Sequence, residues 1–304
     1  LTTTGSASSL ILTDSTITKV TAAGTAALTL TGTGSAAIAT VDASTMSGKL
    51  TLDVSAAAAT DTTVTGGSGA DSINIGAITA ADTVVGGEGS DTLVTAAAVS
   101  VANAVGVSGI EVLSVVNASA SATITQDMDA FAGVTSVSIG DTSNEIVALT
   151  DVSATMNTVN IVSANTIAAG SSFTRKVDTT ADSLTINMGA AAAGVTIAKY
   201  NASNEESVTI NSAGGANVIT NFNAADMTSL TMTGSKSNVI SNAIINAVTL
   251  ATVDSSAATG ATTVNASNST VALTMTGGIG IDTFTGAGGN DTLTGGAGND
   301  VLSS

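Results

Sequence analysis

Residues 277–303 read GGIGIDTFT, GAGGNDTLT and GGAGNDVLS, three nine-residue units in direct succession. Each unit has glycine in its first half, aspartate at position six and an apolar residue at position eight. A second tract, residues 66–94, holds GGSGADSIN and GGEGSDTLV, with a degenerate unit at 77–85 between them that keeps Asp82 but has no glycine. The pattern predicts that each unit is a six-residue turn followed by a three-residue strand.

The chemistry of these turns favours a hard divalent cation. Glycine tolerates positive φ, so several backbone carbonyl oxygens can point to one side of the turn, and the aspartate adds a carboxylate. Six or more oxygen ligands without nitrogen or sulfur favour calcium. We expect the position-eight side chains to point into a core: Ile73, Leu93, Phe284, Leu293 and Leu302. The alternative interpretation is a flexible glycine-rich linker.

The rest of the chain predicts an all-β fold. Short runs alternate Leu or Val with Thr, the period-two pattern of half-buried strands, as at 28–31, 50–53, 184–187, 230–233 and 248–250. Two strands recur about every 22 residues, which favours an elongated parallel β-solenoid or β-helix over a β-sandwich.

In a coil with two strands per turn, each glycine turn stacks on the next but one. We therefore predict calcium between Asp71 and Asp91, and between Asp282 and Asp300. Asp291 lies on the opposite edge of the coil and would need a further turn or a partner chain to complete a site. Asp82 has only Asp61 as a possible partner, so a site at Asp82 is the weakest of these predictions. The turn residues predicted to complete the sites are Gly66, Ser68, Gly69, Gly86, Glu88, Gly89, Gly277, Ile279, Gly280, Gly295, Ala297 and Gly298.

The same patterns divide the chain into five segments of one continuous unit. These are solenoid strands at 1–60, a calcium-binding tract at 61–95, an irregular insertion with a short helix or loop at 96–133, further solenoid at 134–276 and a terminal calcium-binding roll at 277–304.

Composition excludes several function classes. The chain has 23 acidic and 6 basic residues, a net charge of −17, which is unsuited to nucleic acid or anionic lipid. It contains no His and no Cys, which excludes Ser–His and Cys–His nucleophile schemes. There is no apolar run of about 20 residues to span a membrane.

GGAGNDVLS and its neighbours resemble the repeats-in-toxin (RTX) β-roll family of secreted bacterial proteins. The long Thr/Ser/Ala-rich solenoid, the absence of Cys and the stretch VSGIEVLSV at 107–115 make the chain most similar to RTX-type S-layer proteins. The resemblance implies secretion, folding on extracellular calcium and calcium-dependent self-association into a lattice on the cell surface, where a polysaccharide is a further possible partner. Unlike the toxins and proteases of the family, the chain has no acylated lytic region and no HExxH motif.

Two other functions fit parts of the sequence. A secreted adhesin or matrix fibre would use the same solenoid. A calcium-dependent polysaccharide lyase would need a cationic residue, and Arg175-Lys176 is the only basic pair. We interpret that pair as a solvated turn and scattered acids such as Glu205 as solvated surface, so we expect no enzyme activity.

Overall fold

The computed structural model of the chain describes residues 1–14, 16–33, 37–56, 58–116, 123–140, 146–163, 170–189 and 194–304, with side chains except at 58–60. It contains two compact units, one of residues 1–116 and 126–137 and one of residues 117–125 and 138–304, apart from those gaps. Parts of the predicted segments 1–60, 96–133 and 134–276 therefore lie outside the described residues.

The secondary structure is almost entirely strand. Two short 3₁₀ helices span Ala104–Gly106 and Met128–Ala130. The strands, in chain order, are β1 (Thr2–Thr3), β2 (Ser8–Leu12), β3 (Lys19–Gly24), β4 (Leu28–Gly32), β5 (Ile38–Met46), β6 (Leu50–Asp53), β7 (Ala58–Thr65), β8 (Ser72–Asn74), β9 (Thr83–Val85), β10 (Thr92–Thr95), β11 (Val107–Ser108), β12 (Val112–Val115), β13 (Thr123–Asp127), β14 (Ser136–Ile139), β15 (Ile146–Val152), β16 (Thr158–Ile161), β17 (Ser171–Arg175), β18 (Ser183–Met188), β19 (Thr196–Asn201), β20 (Ser207–Ser212), β21 (Asn217–Asn223), β22 (Ser229–Gly234), β23 (Asn238–Ala243), β24 (Thr252–Asp254), β25 (Thr262–Asn265), β26 (Thr274–Thr276), β27 (Thr283–Thr285), β28 (Thr292–Thr294) and β29 (Val301–Ser303).

Within each unit successive strands alternate between two sheets, and the described strands pair in parallel. In the first unit the odd-numbered strands pair in the order β1-β3-β5-β7-β9-β11 and the even-numbered ones in the order β2-β4-β6-β8-β10-β12. In the second unit the odd-numbered strands from β15 to β29 pair in chain order, and so do the even-numbered strands from β16 to β28. Strands β13 and β14 each have residues in both units. This pairing confirms the predicted all-β parallel solenoid, and the described residues form about 12 turns.

The core consists of aliphatic columns that follow from the alternation of the strands. In the first unit, Leu52 pairs with Ile73, Ile73 with Leu93 and Leu93 with Leu113, and all four side chains are buried. Burying each such side chain contributes about 1.5–3 kcal/mol. Thr and Ser occupy many of the alternate positions of the same strands and are half-buried or exposed.

Some local expectations need correction. Residues 248–250 form a turn, not a strand, and the neighbouring strand is β24. Leu302 is 41% exposed, contrary to its predicted core position, because β29 is the last strand of its sheet and pairs with β27 on one side only. Leu293 is half-buried, whereas Ile73, Leu93 and Phe284 are fully buried as predicted.

Arg175 and Glu205, both predicted to be solvated, form a buried ion pair in the second unit. Arg175 Nε lies 2.8 Å from Glu205 Oε1, and an Nη atom donates to Oε2 at 2.9 Å. The guanidinium also donates to the carbonyl oxygens of Ser153, Met156 and Ser183. The interpretation of 175–176 as a solvated turn is therefore wrong for Arg175, which belongs to β17; Lys176 is exposed.

Asparagine side chains form a ladder on the even-numbered sheet of the second unit. Asn187 Nδ2 donates to Asn160 Oδ1 at 2.9 Å, and Asn211 Nδ2 donates to Asn187 Oδ1 at 3.3 Å. Such stacked amides satisfy each other at matched positions on neighbouring strands, which is the parallel-sheet form of cross-strand pairing.

Candidate metal centre

The glycine turns stack in the way the sequence predicts. Turn 66–71 precedes β8 and turn 86–91 precedes β10, and these strands pair with Ser72 opposite Thr92. In the second unit, turns 277–282 and 295–300 precede β27 and β29, which pair with Thr283 opposite Val301. Each tract therefore places one glycine turn directly against another.

Close backbone approach explains the first glycine of each stacked pair. A Cβ added at Gly66 would lie 1.9 Å from the carbonyl oxygen of Gly86, and one at Gly277 would lie 1.9 Å from that of Gly295. No other residue fits such a contact. The carbonyl oxygen of the second turn thus lies against the first turn, as oxygen ligation requires.

The two turns of a pair differ in backbone conformation. Positive φ occurs in the second turn of each pair, at +110° and +116° for Gly87 and Gly89 and at +92° and +136° for Gly296 and Gly298. The corresponding first-turn glycines do not have it. In the first turns the aspartate caps its own turn: the Gly67 amide donates to Asp71 Oδ2, and the Gly278 amide donates to Asp282 Oδ2, both at 2.8 Å.

The aspartates also accept amides from the preceding coil. Asp71 Oδ1 accepts from the Leu50 amide and Asp282 Oδ1 from the Thr262 amide, each at 2.7 Å. Asp291 follows the same rule with the amides of Leu273 at 3.1 Å and Ala287 at 2.8 Å. These carboxylates therefore cap backbone amides of the solenoid.

Asp91 differs from the other aspartates. Its Oδ1 accepts the Asp71 amide at 2.7 Å, but its Oδ2 has no hydrogen-bond partner although the side chain is fully buried. Desolvation raises the pKa of Asp91 to about 6; the hydrogen bond from the Asp71 amide opposes this, and the charges of Asp71 and Glu111 add to it. A buried carboxylate oxygen without a donor is suited to a cation.

The predicted pairs are thus brought together, but through an amide. Asp71 donates its backbone amide to Asp91, and Asp282 donates its own to Asp300 Oδ1 at 2.9 Å. Within the described ranges, no three carboxylates cluster closely enough to hold a metal by themselves. Calcium ligation at these turns therefore needs backbone carbonyls as well. Ile279 and Ala297 can offer only their carbonyl oxygens, whereas the exposed residues Ser68 and Glu88 also carry side-chain oxygens.

The structure does not place Asp61 opposite Asp82, the weakest of the predicted pairs. Thr62, not Asp61, stands opposite Asp82 and donates its amide to Oδ1 at 2.7 Å, while Asp61 is exposed. Thr79 saturates Oδ2 with its amide at 2.8 Å and its hydroxyl at 2.9 Å. Asp182 has the same turn chemistry with Thr179, so the amide and hydroxyl of one threonine can supply hydrogen bonds to an aspartate that precedes a strand.

Sequence reasoning missed Glu111. Its carboxylate Oε2 accepts the Asp91 amide at 2.9 Å and so takes the role that aspartate has in the nonapeptides. The signal available in the sequence was a glycine two residues before an acid and directly ahead of a strand, at Gly109-Ile110-Glu111.

Comparison with protein families agrees with this geometry. Residues 79–97 and 274–304 match the model of the RTX calcium-binding nonapeptide repeat, in 4 copies. The match includes turn 86–91 and the terminal tract and leaves out turn 66–71. Neither the curated proteins nor the solved structures include a significant match to the chain.

Proteins with such repeats are generally secreted or extracellular, and none of the helices among the described residues has the length and hydropathy to cross a membrane. The stacked glycine turns, the capped aspartates and the family match lead to one conclusion: this chain is a β-solenoid that carries RTX calcium-binding nonapeptide repeats.

Proposed function

We propose that the chain is a calcium-dependent, self-assembling structural protein of a bacterial cell surface, of the S-layer type. The observation that carries this is the in-register stacking of glycine turns in a parallel solenoid, with an aspartate at the end of each turn, of which Asp71, Asp91 and Asp282 are buried. Calcium held by these turns would stiffen the coils. The repeats supply carboxylate and carbonyl oxygens that suit calcium binding.

The buried ion pair supports a structural role over a lyase. A lyase would use a free cationic side chain to neutralise a uronate. Arg175, the residue considered for that role, is engaged by Glu205 and by three carbonyl oxygens. It is therefore a structural cation of the solenoid.

Charge and surface chemistry support association through calcium. A chain with net charge −17 repels its own copies unless cations bridge them. In the terminal tract Ile279 and Ile281 are 64% and 59% exposed on a glycine turn, an uncommon place for large apolar side chains. Contact between copies would remove these side chains from water once the charge is bridged.

The test is assembly of the purified chain with millimolar calcium, with the same concentration of magnesium and with EGTA. We expect two-dimensional sheets, seen by electron microscopy alone and on isolated cell envelopes, in calcium only. Isolated fibres would instead support an adhesin or matrix fibre. A chain that stays monomeric by light scattering in all three conditions would reject self-assembly.

A further inference from the structure

The segment Gly109–Glu111 stacks on turn 86–91 although it is not a nonapeptide. It directly precedes β12, and β10 pairs with β12 with Thr92 opposite Val112, so Glu111 occupies the position that matches Asp91. The Asp91 amide donates to Glu111 Oε2 at 2.9 Å. The amides of Asp71 and Asp282 donate in the same way to Asp91 and Asp300, the aspartates of the glycine turns stacked on their own, at 2.7 and 2.9 Å.

The backbone of this segment repeats the glycine-turn contact as well. A Cβ added at Gly86 would lie 1.8 Å from the carbonyl oxygen of Gly109, compared with 1.9 Å for the Gly66–Gly86 and Gly277–Gly295 contacts. The Gly86 amide donates to the Ser108 carbonyl at 3.0 Å, as the Gly66 amide does to Val85 at 2.8 Å. Gly109 also has a positive φ of +62°.

The unpartnered oxygen of Asp91 lies at this contact. Asp91 Oδ2 is 2.6 Å, and the Gly109 oxygen 1.8 Å, from the point that a Cβ of Gly86 would occupy, so both oxygens flank the same glycine. The Asp91 side chain is fully buried, and this oxygen accepts no hydrogen bond. The one ion pair among the described residues joins Arg175 and Glu205, so no cationic side chain neutralises Asp91 there.

We propose that a calcium ion binds between turn 86–91 and segment 109–111, with Asp91 Oδ2, the Glu111 carboxylate and carbonyl oxygens of both segments as ligands. This inference rests on the proposed calcium function and adds a ligand outside the repeats, since the family match in this tract ends at residue 97. Carboxylate and carbonyl oxygens on glycine-rich backbone suit the larger, flexible coordination sphere of calcium better than that of magnesium.

The test compares two glutamates that make the same contact in different surroundings. Glu111→Gln removes the proposed ligand charge but keeps an oxygen that can accept the Asp91 amide. Glu206→Gln is the matched control, because Glu206 Oε2 accepts the Asp182 amide at 2.7 Å beside a turn that has no glycine. Calcium is titrated by calorimetry into the full calcium-free chain, and bound calcium is counted after equilibrium dialysis.

We expect Glu111→Gln to lose one bound calcium or to bind that ion at least tenfold more weakly, and Glu206→Gln to keep the wild-type count and affinity. Unchanged binding in Glu111→Gln, or equal weakening in both variants, would overturn the inference. If the wild-type chain binds no calcium, the proposed function fails as well, so the two failures are distinguishable.

A second variant covers the case in which Glu111→Gln does not fold. Asp91→Asn replaces the buried carboxylate, whose Oδ2 has no partner, by a neutral amide, so we expect the calcium-free chain to melt at the same or a higher temperature than the wild type. The same variant should lose the ion. An Asp91→Asn chain that folds and keeps the full calcium count would contradict the site.

Discussion

Two regions of the molecule bury a carboxylate: turn 86–91, next to Glu111, buries Asp91, and the coil around Arg175 buries Glu205. They differ in the groups that donate hydrogen bonds to the carboxylate. Glu205 receives two N–H donors from the Arg175 guanidinium, at 2.8 and 2.9 Å. Asp91 receives one backbone amide, and its second oxygen has no partner. The solenoid therefore carries its own cation at Glu205, and the site proposed above would take its cation from solution at Asp91. The first region should be indifferent to calcium, and the second should depend on it.

Removal of calcium should have the largest effect and should separate the two regions. An ion present at about 100 times its Kd stabilises by about 2.7 kcal/mol, so the loss of the two ions predicted at the stacked turn pairs should alone cost about 5 kcal/mol. Calorimetry with EGTA measures the fall in melting temperature, and hydrogen exchange locates it. We expect amides at 66–94 and 277–303 to lose protection before those of β17, β18 and β20.

Equal loss of protection in both regions would contradict the comparison, as would an unchanged melting temperature. Magnesium at the same concentration is the control, because its strict octahedral geometry suits these turns less well. Protection restored equally by magnesium would argue against a calcium-selective turn.

Loss of the internal cation should be the second largest effect. Arg175→Ala leaves the Glu205 carboxylate buried and unpaired and leaves three carbonyl oxygens without their donor. Breaking a buried pair in this way costs about 3–5 kcal/mol. Urea denaturation should show this loss to the same extent in calcium and in EGTA. Lys236→Ala removes the same charge from an exposed position and should change stability by less than about 0.5 kcal/mol.

A loss that appears for Arg175→Ala only in EGTA would show that the two regions are coupled. Equal effects of Arg175→Ala and Lys236→Ala would show that overall charge, and not the buried pair, decides stability.

A methyl group in the stacked turns should have an intermediate effect. Gly277→Ala places a Cβ 1.9 Å from the Gly295 oxygen, so one turn must move. Overpacking of this kind costs about 1–3 kcal/mol and should weaken calcium binding by the terminal tract. Gly288→Ala is the matched control in the neighbouring nonapeptide, residues 286–294, where an added Cβ would meet nothing within 4 Å. Calorimetric titration of both variants measures the difference, and equal affinities would argue against stacked-turn ligation.

The period of the sequence was sufficient to predict the coil and the stacking of its glycine turns. Strands with alternating Leu or Val and Thr, such as β4, β6, β18 and β22, were recognisable, because every second side chain is a large apolar one. Strands such as β17 (SSFTR) and β25 (TTVN) were not, since each has only one large apolar residue and depends on pairing with its neighbours.

The site was predictable only as far as its residues repeat. Asp71 and Asp91 were identified because they share a motif. Glu111 was not, because its only local signal is one glycine two residues before an acid, and its role depends on the register of β10 against β12. The Arg175–Glu205 contact spans 30 residues, so only the stacking of the coils brings its two partners together.

The smallest effect we expect lies in the asparagine ladder on the even-numbered sheet of the second unit, which we expect to be independent of calcium. Asn187 donates to Asn160 and accepts from Asn211, so Asn187→Ala removes two neutral hydrogen bonds. These bonds are half-buried and contribute about 0.5–1.5 kcal/mol each, and water can replace part of them, so we expect a loss of about 1 kcal/mol by urea denaturation. Asn290→Ala, at an exposed turn position, should change stability by less than half of that.

Because the ladder joins protein groups only, the loss of stability in Asn187→Ala should be the same with and without calcium. A loss for Asn187→Ala that grows in EGTA would mean that calcium also supports this part of the solenoid, and the distinction between the two regions would fail.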